Sequence, residues 1–285
     1  MGNQAVKEVD IIKFNGNTVG NVPDLLAVEE PLEIRLEYGP AGQRIVKNLS
    51  VTMRTPGADE DLATGFLFTE GIVQRAEDIE RVWGFANSIT VSLSPDVALN
   101  LQKLERHFYT TSSCGVCGKA SIDAVKTVSS YSSADKKDGW PIQPGIIYTL
   151  PDALRNVQST FDVTGGLHAS ALFDRKGHLL TIREDVGRHN ALDKLIGHYL
   201  RRDAVPLDNH ILLLSGRASF ELLQKAAMAG IRVVCAVGAP SSLAVETAES
   251  FGITLIGFLK DNRFNLYTNS TNPMSNIKQS KVHSL

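Results

Sequence analysis

The chain alternates apolar and polar positions with two different periods, and the change of period divides it. Residues 32–38 (LEIRLEY) alternate apolar and charged side chains, and residues 43–51 resume the alternation after the GPAG break at 39–42. Period two around a glycine-proline interruption predicts a β-hairpin. A helix is expected next. Thr55-Pro56-Gly57 opens it, Asp59, Glu60 and Asp61 suit its positive N-terminal end, Leu62, Phe66 and Leu67 fall on one face, and Gly71 stops it. Plain packing is its expected role. Residues 89–93 and 99–101 read as short strands, and the polar run 129–139 reads as a loop placed to cover whatever precedes it.

From residue 163 onward the pattern is more regular. Residues 168–174 and 179–183 form a second hairpin around RKGH (175–178), and Leu192, Leu195, Ile196, Tyr199 and Leu200 mark one face of an amphipathic helix. Strand 211–214, helix 220–229, strand 233–237, helix 242–250 and strand 254–258 follow, with Gly230 and Gly252 closing the helices. A hairpin followed by αβαβαβ predicts an α/β fold: a sheet, parallel over most of its width, with helices on both faces. The expected organisation is a smaller N-terminal α+β portion over 1–140, an α/β domain over 141–268 and a tail over 269–285.

Composition narrows the class without deciding it. With 285 residues, 43% hydrophobic and 21% charged, the chain is an ordinary globular protein. Its longest apolar runs, 211–214 and 231–237, are of strand length, far below the ~20 residues a membrane helix needs. A formal net charge of −2 gives no global nucleic-acid footprint, so an anionic ligand must be met by local cations and backbone N–H groups. Few cysteines and no targeting segment at MGNQAVK imply a reducing cytoplasm.

Two of the three cysteines stand together in TSSCGVCGK, residues 111–119. A thiol reacts as thiolate, and its pKa falls beside a cation or at a helix N-terminus. Lys119 supplies the cation, and residues 120–126 read as the first turns of a helix. Cys114 and Cys117 are therefore read as a reactive pair. A disulfide scaffold fits poorly in a long chain with three cysteines. Half a zinc knuckle lacks its second ligand pair, His107 being the one near candidate. A thioredoxin-like dithiol would follow a strand in a much smaller domain. Cys235, in an apolar run, is expected to be an inert core residue.

The remaining chemistry gathers in loops at strand ends, where open α/β sheets bind ligands. REDVGRHN (183–190) joins a strand to a helix with more charge than packing needs, and SGRAS (215–219), GAPSS (238–242) and KDNR (260–263) follow the next three strands. The first three sit at helix N-termini, which suit anions. Neither GxGxxG nor a P-loop is present.

These segments resemble a known family. CGVCGK (114–119), GGLHA (165–169), REDVGRHNALDK (183–194), SGRASFE (215–221) and APSSLAVE (239–246) are similar to FdhD/NarQ, the formate dehydrogenase accessory sulfurtransferases. The resemblance implies a cytoplasmic sulfur carrier that takes persulfide sulfur from an IscS-type cysteine desulfurase. It passes that sulfur to the Mo-bis(molybdopterin guanine dinucleotide) cofactor before insertion into the formate dehydrogenase catalytic subunit. A cytidine deaminase-like C-terminal fold is implied too, in agreement with the element order, and a homodimer is the expected assembly. By the same resemblance Cys114 carries the persulfide with Cys117 as partner. The cofactor falls on Phe258, Leu259, Lys260, Asp261, Asn262 and Arg263, with Arg217 and Ser241 nearby and GDP as a fragment analogue. Asp261-Asn262 stands where a glycine-rich version is expected.

Arg183, Glu184, Asp185, Arg188 and His189 are expected to line the passage from thiols to cofactor, with the two carboxylates orienting the cations. An internal salt-bridge cluster is the structural alternative. A zinc-dependent nucleoside deaminase is the fold-level rival. It needs a Glu two residues after its His ligand and a PCxxC turn, and His168-Ala169-Ser170 and the residue before Cys114 supply neither, so no zinc is expected. A noncatalytic cofactor-binding chaperone with a redox-sensing CxxC is the competing functional class.

Overall fold

The computed structural model describes residues 5–97 and 140–269. The readings for residues 99–101, 114–126 and 129–139 lie outside the described residues. Strands β1 (Val6–Asn15) and β2 (Thr18–Ala27) form a two-stranded ribbon of their own. Gly16-Asn17 turns it, with Gly16 at φ 58°, the left-handed region that favours glycine. The hairpin was not anticipated, because Pro23 and several charges interrupt its alternation. Strands β3 (Glu30–Tyr38) and β4 (Ile45–Arg54) make the expected antiparallel hairpin. Helix α1 (Asp59–Thr69) follows with its acidic first turn, then the hairpin of β5 (Ile79–Phe85) and β6 (Ser88–Leu93). The second sheet runs β4-β3-β6-β5, with β3 and β6 parallel.

The C-terminal part begins with two helices that the hydrophobic pattern did not announce, α2 (Pro144–Arg155) and the short α3 (Ser159–Thr164). Then come β7 (His168–Phe173), β8 (Leu179–Asp185), α4 (Arg188–Leu200), β9 (Ile211–Leu214), α5 (Phe220–Met228), β10 (Val233–Ala236), α6 (Ser242–Ser250), β11 (Thr254–Lys260) and β12 (Arg263–Thr268). The hairpin-then-αβαβαβ order is present. The six strands pair as β12-β11-β10-β9-β7-β8, with β9, β10 and β11 parallel and the flanking strands antiparallel.

Side chains along a strand point alternately to opposite faces, and the two cores follow that rule. Ile211, Leu213, Val233, Cys235 and Ile256 face one core, which α2 closes with Ile147, Leu150 and Leu154. Leu212, Leu214, Val234, Ala236 and Leu255 face the other, shared with Leu192, Leu195, Leu222 and Ala248 of α4, α5 and α6. That second core runs on into Leu32, Ile34, Leu62, Leu67, Ile89 and Val91 of the N-terminal elements.

Where α1 crosses α4 the backbones touch. A Cβ on Gly65 would lie 1.9 Å from the Asp193 carbonyl oxygen, and one on Gly197 would lie 1.9 Å from that of Asp61. Only glycine fits at either position. Beside the crossing, Lys225 donates to both Asp193 carboxylate oxygens, at 3.0 and 2.9 Å, and to Thr69 Oγ1 at 2.9 Å. All three residues are buried, so α1, α4 and α5 are joined by a satisfied internal ion pair rather than by apolar contact alone.

Candidate functional site

The parallel strands end at a cleft of about 530 Å³. Ser215, Val237, Leu259, Lys260 and Asp261 line it from the sheet, and Arg155, Gln158 and Phe161 line it from α2 and α3. Its position is the one expected of an open α/β sheet. The strand-end loops meet there because the ladder continues past the strands. Gly238 N–H donates to Gly216 O at 3.0 Å, Ala218 N–H to Ala239 O at 3.2 Å, Ser241 N–H to Ala218 O at 3.0 Å, and Phe258 N–H to Gly238 O at 3.1 Å.

The β11–β12 turn accounts for its lack of glycine. Asp261 and Asn262 both take positive φ, 37° and 53°, between the paired residues Lys260 and Arg263. Aspartate and asparagine tolerate this left-handed conformation better than other non-glycine residues, so the pair makes the tight two-residue turn. Of the residues expected to hold a cofactor, Leu259, Lys260 and Asp261 line the cleft. Phe258 is exposed, with φ 51° where the β11–β12 register shifts. Asn262 completes the turn, Arg263 opens β12, and Arg217 is exposed on the β9–α5 loop. Ser241 caps α6, its Oγ accepting from Ala244 N–H at 3.2 Å.

The run from Arg183 to His189 is divided by the period of β8 and the start of α4. Arg183 donates to Asp61 Oδ2 at 2.9 Å, toward α1. Burial alone would raise the Asp61 pKa, but Arg183 and Arg201 outweigh it and hold that carboxyl below its ordinary value. Asp185 is fully buried, with Lys194 Nζ 2.7 Å away. It also accepts from Thr55 N–H at 3.2 Å, Gly187 N–H at 2.8 Å and Asn190 Nδ2 at 3.1 Å. Lys194 and Asn190 in turn donate to the carbonyls of Thr55 and Met53, both at 2.7 Å. This network ties the end of β4 to the start of α4.

Glu184, one residue along, faces the other way. Burial raises its pKa, outweighing the opposing influence of the Phe161 backbone, the Gln158 side chain and Thr160 at the start of α3. The carboxylates expected to orient Arg188 and His189 thus hold other groups. His189 instead has Glu221 as its partner, Nε2 lying 2.8 Å from Oε2, and that contact holds the Glu221 carboxyl below its ordinary value.

His168 belongs to this site although the candidate residues above did not include it. It opens β7, lines the cleft and pairs in register with Asp185. Burial, then the charges of Arg188 and His189, lower its pKa, with Asp185 opposing them. The neutral imidazole therefore persists at neutral pH. GGLHA marked the segment, but only the fold brings the charge of Arg188 to bear on it. Arg155, Gln158 and Phe161 had no comparable signal beyond Pro144, which fits the first position of a helix.

Cys114 and Cys117 lie outside the described residues. Cys235 is buried in β10, and burial pushes its thiol pKa far up, as expected of an inert core residue. Among the described residues no three His, Cys, Asp or Glu side chains gather as a metal-ligand set, and no helix is long and apolar enough to cross a membrane.

The comparisons agree with one another. The FdhD/NarQ family model matches residues 27–273. Proteins named sulfur carrier protein FdhD are similar over most of their length. The one from Streptomyces avermitilis is 48% identical over 267 residues, covering 90% of this chain and 92% of its own. That from Mycobacterium tuberculosis is 49% identical, covering 86% and 90%, and that from Saccharolobus solfataricus 40%, covering 93% and 97%. The crystal structure of a candidate formate dehydrogenase accessory protein from Desulfotalea psychrophila shares the fold at 20% identity, with a TM-score of 0.67 over 93% of this chain and 97% of that one. A match covering both the N-terminal sheet and the strand-end cleft leaves one conclusion: the chain belongs to the FdhD/NarQ family.

Proposed function

We propose that this protein is a cytoplasmic sulfur carrier serving formate dehydrogenase, in which Cys114 receives sulfur from an IscS-type cysteine desulfurase and delivers it to the Mo-bis(molybdopterin guanine dinucleotide) cofactor. Family membership over residues 27–273, with relatives named sulfur carrier proteins and the CGVCGK sequence at 114–119, is the observation that carries this reading. In the loading step the Cys114 thiolate attacks the outer sulfur of the donor persulfide. The new S–S bond forms on Cys114, the donor's S–S bond breaks, and the donor cysteine leaves as thiolate. A homodimer is the expected assembly.

The cleft supports the second half of the reading. A guanine dinucleotide carries diphosphates, and Lys260, Arg155 and the loops at the strand ends offer cations and backbone donors for them. Arg188 and His189, whose charges bear on His168, are the groups that would stabilise negative charge developing on sulfur. Incubation with desulfurase and cysteine, followed by mass spectrometry, is expected to add one sulfur to the Cys114 peptide. Cys114→Ala should abolish both that adduct and formate dehydrogenase activation in a deletion strain while leaving the fold intact. Full activation by Cys114→Ala would sink the carrier reading in favour of a noncatalytic chaperone. An Arg188→Ala variant should still load sulfur and fail at delivery; normal delivery would remove Arg188 from the passage.

A further inference from the structure

The β1–β2 ribbon belongs to neither hydrophobic core and lines no part of the cleft. Among the described residues its strands pair only with each other, and its closest packing sets β2 against α3, at the root where Ala27 meets Gly166. Toward the turn it is apolar and bare. Phe14 and Val19 stand opposite each other, Ile12 follows on the same face, and the three are 74%, 60% and 63% exposed. Residues 11–22 carry a single charged side chain, Lys13. An isolated two-stranded hairpin is marginally stable in water at best, and natural proteins charge or cover their free strand edges. The outer half of this ribbon has little charge, so it calls for a covering surface.

A surface of matching character lies close to the root. Two residues, Val28 and Glu29, join β2 to β3, and near the start of β3 a cross-strand row runs from Val51 of β4 through Glu33 and Ser88 to Phe85 of β5. This row is on the sheet face opposite to Leu32 and Ile34, which enter the core. Val51 is 64% and Phe85 89% exposed, and Trp83 is exposed two residues along β5. Ribbon tip and sheet face are bare in the same chain, so the ribbon does not cover its own sheet.

We infer that the ribbon is an exchanged arm: in a two-fold pair of this chain, each ribbon lies across the outer face of the partner's β4-β3-β6-β5 sheet, with Ile12, Phe14 and Val19 on the partner's Val51, Trp83 and Phe85. Area decides for a second copy. A ribbon two strands wide and ten residues long offers about 300 Å² on one face, so a single ribbon on a foreign partner removes only about 600 Å², the range of packing contacts. The reciprocal ribbon of a two-fold pair doubles this to about 1,200 Å², where stable specific interfaces begin. The inference gives the expected homodimer its surface, rests on that expectation and is independent of the sulfur chemistry.

Sedimentation velocity on the full-length protein tests the arm. The wild type should dimerise with a dissociation constant of about micromolar, near the weak end for interfaces of this class. Phe14→Lys and Phe85→Lys should each weaken the dimer at least about tenfold, because either one spoils both reciprocal contacts. Phe14→Leu keeps the apolar bulk and should still dimerise. Both positions are exposed, so circular dichroism should match the wild type; should Phe14→Lys lose structure, Val19→Lys on the facing strand makes the same test. An equimolar mixture of the two lysine variants should dimerise more tightly than either alone, since the mixed pair keeps one contact whole. Wild-type behaviour of Phe14→Lys or Phe85→Lys, or a mixture no tighter than its components, would overturn the exchange. So would a wild type that stays monomeric, including one whose binding to desulfurase is lost in Phe14→Lys, which would reassign the ribbon to that partner. Sulfur loading on Cys114 in the same samples keeps the readings apart. A monomer that loads sulfur ends the arm inference and leaves the carrier intact, whereas a dimer weakened by Phe14→Lys that never loads does the reverse.

Discussion

Residues 183–194 supply two regions of similar composition that use charge in opposite ways. Asp185, Asn190, Asp193 and Lys194 are buried, and each is held by partners on other elements: Thr55 and Met53 after and within β4, Thr69 of α1, Lys225 of α5. Arg188 and His189, from the same run, are half-buried at the start of α4, His189 against Glu221, and their charges bear on His168 in the cleft wall. Charge density alone does not separate a structural cluster from a functional one. What separates them is burial: the first set is enclosed among its partners, whereas Arg188 and His189 keep part of their surface in solvent.

The sharpest way to break this comparison is to remove one member of the buried set. Asp185→Ala leaves Lys194 buried without its carboxylate, and loss of one partner of such a pair costs about 3–5 kcal/mol. Urea unfolding should show a loss of that order. A change below about 1 kcal/mol, within the range of an exposed pair, would place the network on the surface side of the comparison. Gly197→Ala comes next. Its Cβ would meet the Asp61 carbonyl at 1.9 Å, so α1 and α4 must separate, at a cost of about 1–3 kcal/mol for overpacking. A melting temperature equal to wild type would show that the crossing relaxes freely.

The smallest effect belongs to the cleft and is read through pH. The His168 pKa is lowered on folding, so below its ordinary value of about 6.5 the unfolded chain takes a proton that the folded imidazole resists. Stability from this group is complete above that value and is lost as pH falls through the lowered folded one. His168→Gln should therefore narrow the stability gap between about pH 7.5 and pH 5.5 while changing little at the upper value. An unaltered gap would assign the acid sensitivity to His198 and His210, whose pKa values burial also lowers.

Much of the C-terminal architecture was legible because fully buried parallel strands and their covering helices repeat a strong pattern. Residues 211–214 and 233–236 are short apolar runs closed by glycine-bearing turns, 254–260 is a third closed by Asp261-Asn262, and their order fixes where the loops converge. Helices α2 and α3 were not legible. Pro151 sits inside α2, and α3 is too short for a periodic face. Partner choice was the other blind spot. Glu184 and Asp185 are adjacent in sequence, yet the period of a strand sends one toward α3 and the other among Thr55, Asn190 and Lys194, between β4 and α4. Reading both as guides for the same cations ignored that alternation.

The contact of Gly65 with the backbone of α4, and of Gly197 with that of α1, also constrains how such a chain can change over time. Neither helix can gain a carbon at the crossing unless the other gives way, so the two segments, 132 residues apart by their glycine numbers, are inherited as a matched pair. Recombination between relatives, natural or engineered, should tolerate junctions that carry α1 and α4 from the same parent and reject those that draw them from different ones.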